Sequence, residues 1–230
     1  MRGRAPDLRG AHGIFGGTFD PIHLAHLAVA EAALDDLGLA SVTFIPAGEP
    51  PHKRDRTISP AEDRYAMVKA AVADNPGFRV SRAEIDRTGP SYTVDTLAAL
   101  AGGDSVDSAD LAGSGSGSLA LIMSMDSFLD LPNWREPRRV LELATLVVTP
   151  RDGFADAGPD FLERHFPGTT ARVVMLSGPH LRLSASDLRA RAGTGRSIRY
   201  LVPDAVSAYI GDHGLYRNLA QDEPRRMDRS

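Results

Sequence analysis

The chain has 230 residues, 42% hydrophobic and 24% charged, an ordinary globular composition with enough apolar content for a sizeable core. Lysine and arginine number 26 against 30 aspartates and glutamates, a formal charge of −4, which argues against charge-driven nucleic-acid binding. There is no cysteine, which excludes disulfides, thiol nucleophiles and cysteine–zinc clusters and fits a reducing compartment.

Residues 1–11 read as a flexible N-terminal arm. Its arginines (Arg2, Arg4, Arg9) precede no apolar h-region. Runs such as Leu119–Met123 fall short of the roughly 18 residues a bilayer span needs. A cytoplasmic location without a membrane partner is the expectation.

His12–Phe15 reads as a short buried strand running into Gly16-Gly17. Leu24–Leu37 has helical spacing, with Gly38 as its stop. Val42–Pro46 is the next strand. Ser59-Pro60-Ala61-Glu62 has the form of a capping box, opening a helix to about Ala73. Phe78–Ile85 is a third strand and Tyr92–Leu100 a helix. Ala101–Ser118 holds Gly102, Gly103, Gly113, Gly115 and Gly117 among serines, without apolar periodicity, and reads as a Gly/Ser-rich loop.

Leu119–Met123 and Ala144–Thr149 are further strands, with a helix at Glu136–Leu143 between them. Arg172–Leu176 is a last strand, and helices at Ser184–Ala192 and Pro203–Asp212 close the pattern. Residues 218–230 form a polar tail. Strand–helix alternation predicts one α/β domain over residues 12–217, a doubly wound, Rossmann-like parallel sheet with helices on both faces.

The most informative stretch is Gly16-Gly17-Thr18-Phe19-Asp20-Pro21-Ile22-His23-Leu24-Ala25-His26. Glycines at a strand end allow positive φ and let amides approach an anion, and the helix start after them adds unpaired N–H donors. Alone, such a Gly-Gly pair is also an ordinary turn. It is neither a Walker loop nor a GxGxxG fingerprint. His23 and His26, three apart, share one face of the first helical turn, where imidazoles can hydrogen-bond phosphoryl oxygens. The plainer reading is one capping and one surface histidine, and the glutamate of a zinc-binding HExxH is missing. Ser184 or Ser186 can cap the late helix and offer a hydroxyl to phosphate, with Arg189 a turn further on as a charge-assisted clamp.

These segments resemble the nucleotidyltransferase superfamily with the (H/T)xGH motif, with Ala25 where that motif has glycine. The resemblance extends along most of the chain to the bacterial nicotinate-mononucleotide adenylyltransferases. Ile45–Lys53, Pro90–Leu97, Asp126–Trp134, Leu183–Arg189 and Ser197–Tyr209 carry it in order. Ser124 stands where the family has glycine, and Ala185 where it has a second serine.

The resemblance implies adenylyl transfer from ATP to nicotinate mononucleotide, with small molecules as the only partners. His23, His26 and Arg189 are the implied catalytic groups. Gly16, Gly17, Thr18, Phe19, Ser184, Ser186 and Asp126 would bind ATP. Lys53, Tyr92, Thr93 and Trp134 would bind the mononucleotide, with Tyr92 and Thr93 beside the nicotinate carboxylate and Trp134 stacked on its ring. No metal is expected in a protein cage; Mg²⁺ would travel on the phosphates. Alternatives are a relative acting on nicotinamide mononucleotide or phosphopantetheine, or a non-catalytic nucleotide-binding regulator. Assembly into a homo-oligomer is left open.

Overall fold

A computed structural model describes residues 6–50, 58–102, 118–151, 153–154, 157–179 and 181–217. Six strands form one sheet: β1 (His12–Gly17), β2 (Ser41–Pro46), β3 (Phe78–Val80), β4 (Leu119–Ser124), β5 (Ala144–Thr149) and β6 (Val173–Met175). Every neighbouring pair is parallel, in the order β3-β2-β1-β4-β5-β6. This order is doubly wound, the class that the sequence alternation predicts.

Strand side chains alternate between two apolar layers, which is why the strands are near-continuous hydrophobic runs. Val42, Phe44, Ala120, Ile122 and Val147 belong to one layer; Ile45, Leu121, Met123, Leu146 and Val148 belong to the other. Helices α1 (Leu24–Asp36), α2 (Ala61–Val72) and the final helix, α8 (Asp204–Asp212), cover the first layer. Helices α3 (Thr93–Gly102), α4 (Met125–Leu129), α5 (Pro137–Leu143) and α6 (Pro159–His165) cover the second. Helix α7 (Ala185–Gly193) adds Leu188 to the first. Gly38 ends α1 at φ 62°, a left-handed stop that favours glycine.

Several local expectations change. Leu8 and Ala11, assigned to the arm, are buried in the first layer, and the Gly10 amide bonds the Gly38 carbonyl at 2.9 Å. Strand β3 ends at Val80, because a turn follows in which the Ile85 amide bonds the Arg82 carbonyl. Pro60, not Ser59, is the N-cap of α2, and no side chain caps it. The Ser59 amide instead donates to Asp20 Oδ2 at 3.2 Å. Helix α6 was not anticipated, although Pro159 at its first position and Asp160 in its first turn are helix-start signals. Residues 103–117 and 218–230, the greater part of the expected loop and the tail, lie outside the described residues.

Candidate active site

The sheet opens between β1 and β4. Their pairing ends at Ile14 opposite Leu121, while β1 continues along β2 to Gly17 and β4 along β5 to Ser124. In a doubly wound sheet this reversal of strand order leaves a crevice at the carboxyl ends. A cleft of about 1140 Å³ occupies it. Gly16, Gly17, Thr18, Phe19, His23, His26, Tyr92, Thr93, Asp126, Trp134, Ser184, Ser186 and Arg189 all line this cleft. Lys53 lies outside the described residues.

The glycine pair works differently from the sequence expectation. Neither Gly16 nor Gly17 has positive φ; the left-handed residue is Phe19, at 49°. A Cβ on Gly17 would come within 2.8 Å of the Phe19 ring, so the second glycine makes room for that phenyl group. A Cβ on Gly16 meets nothing within 4 Å and would occupy open cleft. The first glycine therefore leaves bare backbone toward any ligand.

Helix α1 begins after His23, which stands in extended backbone at φ −146°. The His23 and His26 rings stack at 3.7 Å with planes 15° apart, and the His23 amide donates to His26 Nδ1 at 3.3 Å. Phe15 and Phe19 meet His26 edge-on. His23 is buried, and that burial pushes its pKa from 6.5 down to about 4, with Arg151 adding to the effect. It is a neutral imidazole at pH 7. Ala25 is half-buried, so a methyl fits where the motif has glycine.

Arg189, on α7, reaches back across the fold. It donates to the Asp20 carbonyl at 2.7 Å and to Ser186 Oγ at 3.2 Å. Ser184 is the N-cap of α7, but its hydroxyl makes no cap hydrogen bond, so the expected side-chain cap is absent.

On the opposite wall, two loops are zipped together. The Gly48 amide donates to Ser91 Oγ and the Ser91 amide to the Glu49 carbonyl, both at 3.0 Å. A Cβ on Gly48 would run into the Glu84 carbonyl, so only glycine permits this approach. Thr96 donates to the buried Glu84 at 2.7 Å, and burial raises the Glu84 pKa. Tyr92 and Thr93 stand at the start of α3, and the Arg135 guanidinium lies 4.9 Å over the Tyr92 ring. Trp134 is half-buried at the end of a 3₁₀ turn over Leu131–Asn133.

At the end of β4, Ser124 adopts φ −84°, ψ 161°, an extended conformation open to any residue. Two residues on, Asp126 pairs with Arg151 at 3.0 Å. The sequence reading missed Arg151, whose only signal is its place just after a strand. It also missed Arg64, buried on α2. Arg64, Met67, Val68, Ala71 and Val72 form one buried stripe with a charged residue at its head, a mismatch that marks a polar partner inside.

A glycine turn, a helix-start imidazole pair and a convergent arginine meet at the switch point of a 3-2-1-4-5-6 sheet, and the chain that carries them is a nucleotidyltransferase of the α/β class, as the following likenesses show. The chain belongs to the cytidylyltransferase-like family, whose model matches residues 14–191. It is 49% identical over 205 residues, 89% of this chain and 97% of the relative, to a probable nicotinate-nucleotide adenylyltransferase of Roseiflexus sp. (strain RS-1). A protein of the same name from Thermomicrobium roseum is 42% identical over 95% of this chain and 97% of its own length. The fold matches that of Plasmodium falciparum nicotinic acid mononucleotide adenylyltransferase complexed with NaAD, at TM-score 0.70 and 16% identity, covering 91% of this chain and 98% of that one. No helix among the described residues is long and apolar enough to cross a membrane.

Proposed function

We propose that this chain transfers the adenylyl group of ATP to nicotinate mononucleotide, forming nicotinate adenine dinucleotide and pyrophosphate in NAD biosynthesis. One observation carries the reading: a single cleft joins the Gly16–Asp20 turn and imidazole pair on one wall to Tyr92, Thr93 and Trp134 on the other. The relatives named for this activity, aligned over nearly their full length, support it.

In this reading the triphosphate of ATP lies over Gly16, Gly17, Thr18 and Phe19, at the start of α1. Ser184 and Ser186 offer their hydroxyls to its phosphates, and Asp126 adds a further contact to the nucleotide. The carboxylate of the acceptor faces the amides and hydroxyls at the start of α3, and Trp134 stacks on the pyridinium ring. By resemblance, Lys53, outside the described residues, would add a cation to the acceptor site.

A phosphate oxygen of the mononucleotide attacks the α-phosphorus in line. The bond from that phosphorus to the bridging oxygen breaks, and pyrophosphate leaves with the electron pair. No protein nucleophile is required. Catalysis is positioning plus stabilisation of charge on the leaving group and the equatorial oxygens. His23, neutral in the free protein, serves as a hydrogen-bond donor to a phosphoryl oxygen, with His26 beside it. Arg189 supplies fixed positive charge.

Among the described residues no group of three or more His, Cys, Asp or Glu is placed to hold a metal by itself. Mg²⁺ carried on the triphosphate would supply charge neutralisation there.

Pyrophosphate release, measured with ATP and either nicotinate mononucleotide, nicotinamide mononucleotide or phosphopantetheine, tests the proposal. Turnover highest with the nicotinate compound is expected. Preference for another acceptor, or ATP binding without turnover, would overturn it.

A further inference from the structure

Arg64 lies in the first turn of α2 and is 2% exposed, one of the largest fully buried side chains of the protein. Its guanidinium donates to three backbone carbonyls, one in the turn between β1 and α1 and two near opposite ends of the connection between β2 and α2. Nε donates to Ser59 at 3.0 Å, Nη1 to Thr18 at 2.9 Å and Nη2 to Gly48 at 3.1 Å. Burial alone disfavours a charge there, opposed by the nearby Asp20. The rest of the buried stripe is apolar, so packing alone would be met by a hydrocarbon side chain. What a hydrocarbon cannot supply is a rigid fork of donors.

That fork has a geometric consequence. In a planar trans peptide the C=O and N–H point in opposite directions. With the Thr18 carbonyl turned inward onto Arg64, the following amide, Phe19 N–H, is turned the opposite way. Thr18 and Phe19 line the cleft and Arg64 does not. Phe19 stands at φ 49°, a left-handed conformation costly for any residue with a side chain. Such a conformation persists when its surroundings over-determine it, and in turns it creates amide concavities that bind anions. Gly48, the third anchor, belongs to the loop zipped to Ser91 on the acceptor wall.

We propose that Arg64 is a positioning residue for adenylyl transfer: by gripping the Thr18 and Gly48 carbonyls, it holds the phosphate turn with its amides presented to the polyphosphate and sets the spacing of the two walls. This role rests on the turn being the polyphosphate site.

Calorimetric titration of Arg64→Lys and Arg64→Met with tripolyphosphate and with adenosine, beside kinetics of product formation, separates positioning from mere support. Arg64→Lys is expected to weaken tripolyphosphate binding and lower kcat by at least about tenfold each, with adenosine affinity changed by less than about threefold. Unchanged tripolyphosphate binding in folded Arg64→Lys, or an equal loss for adenosine, overturns the role of Arg64. Failure of the wild-type protein to bind tripolyphosphate removes the phosphate reading of the turn, and this role with it. If neither variant folds, NMR of the ¹⁵N-arginine-labelled wild-type protein decides. With serine ¹³C-labelled at its carbonyl as well, the Arg64 Nε–H signal, identified by coupling across its bond to the Ser59 carbonyl, is expected to shift when tripolyphosphate is added; a signal that does not move overturns the proposal.

Discussion

Arg189 donates to the backbone carbonyl of Asp20 at 2.7 Å, across 169 residues of sequence. The bond fastens the arginine of the late helix to the turn that follows the opening strand. Asp20 is also held through its side chain, by the Tyr216 hydroxyl on Oδ1 at 2.8 Å and the Ser59 amide on Oδ2 at 3.2 Å. Three distant segments thus fix one residue beside the imidazole pair.

Arg189→Ala is expected to lower kcat/KM by about 10²- to 10³-fold, the scale for loss of one preorganised donor to transition-state charge. Arg189→Lys should fall between, because an ammonium keeps the charge but not the fork that, in the proposed reaction, would reach Asp20 and a phosphate together. The residue is half-buried and outside both apolar layers, so Tm should move by less than about 4 °C. Steady-state kinetics with a thermal melt of each variant checks both statements.

Removing the Tyr216 hydroxyl tests the anchor of Asp20. The Tyr216 pKa is raised, first by burial and then by Asp20, so the phenol keeps its proton and donates throughout the working pH range. Tyr216→Phe leaves one oxygen of a buried carboxylate without this donor, at a cost of about 1–3 kcal/mol. Denaturant unfolding should register that loss with an unchanged m-value.

His23 makes stability depend on pH in a defined direction. Its folded pKa, about 4, lies below the ordinary 6.5, so between these values the unfolded chain binds the extra proton. Stability therefore rises with pH across that window. The His23 contribution is complete above about pH 6.5 and is lost as pH falls toward 4. His23→Gln should flatten the decline; the buried His12, whose pKa is also lowered, adds a similar slope in both proteins. Melts at half-unit steps from pH 4 to 7 measure the difference, and parallel curves would contradict the assignment.

Ser124→Gly should be nearly silent in stability, within about 0.5 kcal/mol. Ser124 caps α4 without a side-chain cap hydrogen bond, its hydroxyl meets Ser127 Oγ only at a long 3.5 Å, and replacing an N-cap serine by glycine costs about a few tenths of a kcal/mol. Chemical denaturation checks this, and a large shift in either direction would show a contact absent from the present geometry.

Much of the fold was legible because β strands buried on both faces and helices with stops such as Gly38 leave strong local signals. The site was legible where one short segment carries it, as in Gly16-Gly17 with His23 and His26. What stayed hidden is long-range. The left-handed strain falls on Phe19 rather than on either glycine because the Phe19 ring fills the space above Gly17. Ser59 gives its amide to Asp20 instead of its hydroxyl to α2. Arg64 and Arg151 gain their meaning from partners such as Thr18 and Asp126, far away in sequence, and spacing alone does not announce such pairs.

The proposed reaction requires the first strand's turn and its stacked histidines to hold the triphosphate while the acceptor lies across the crevice. A crystal structure with a nonhydrolysable ATP analogue measures this directly. The phosphates are expected within hydrogen-bond distance of the Gly17–Phe19 amides and of a ring nitrogen of His23 or His26, with the γ-phosphate contacted by Arg189. Phosphate density elsewhere on the protein, with that turn left to solvent, would contradict it.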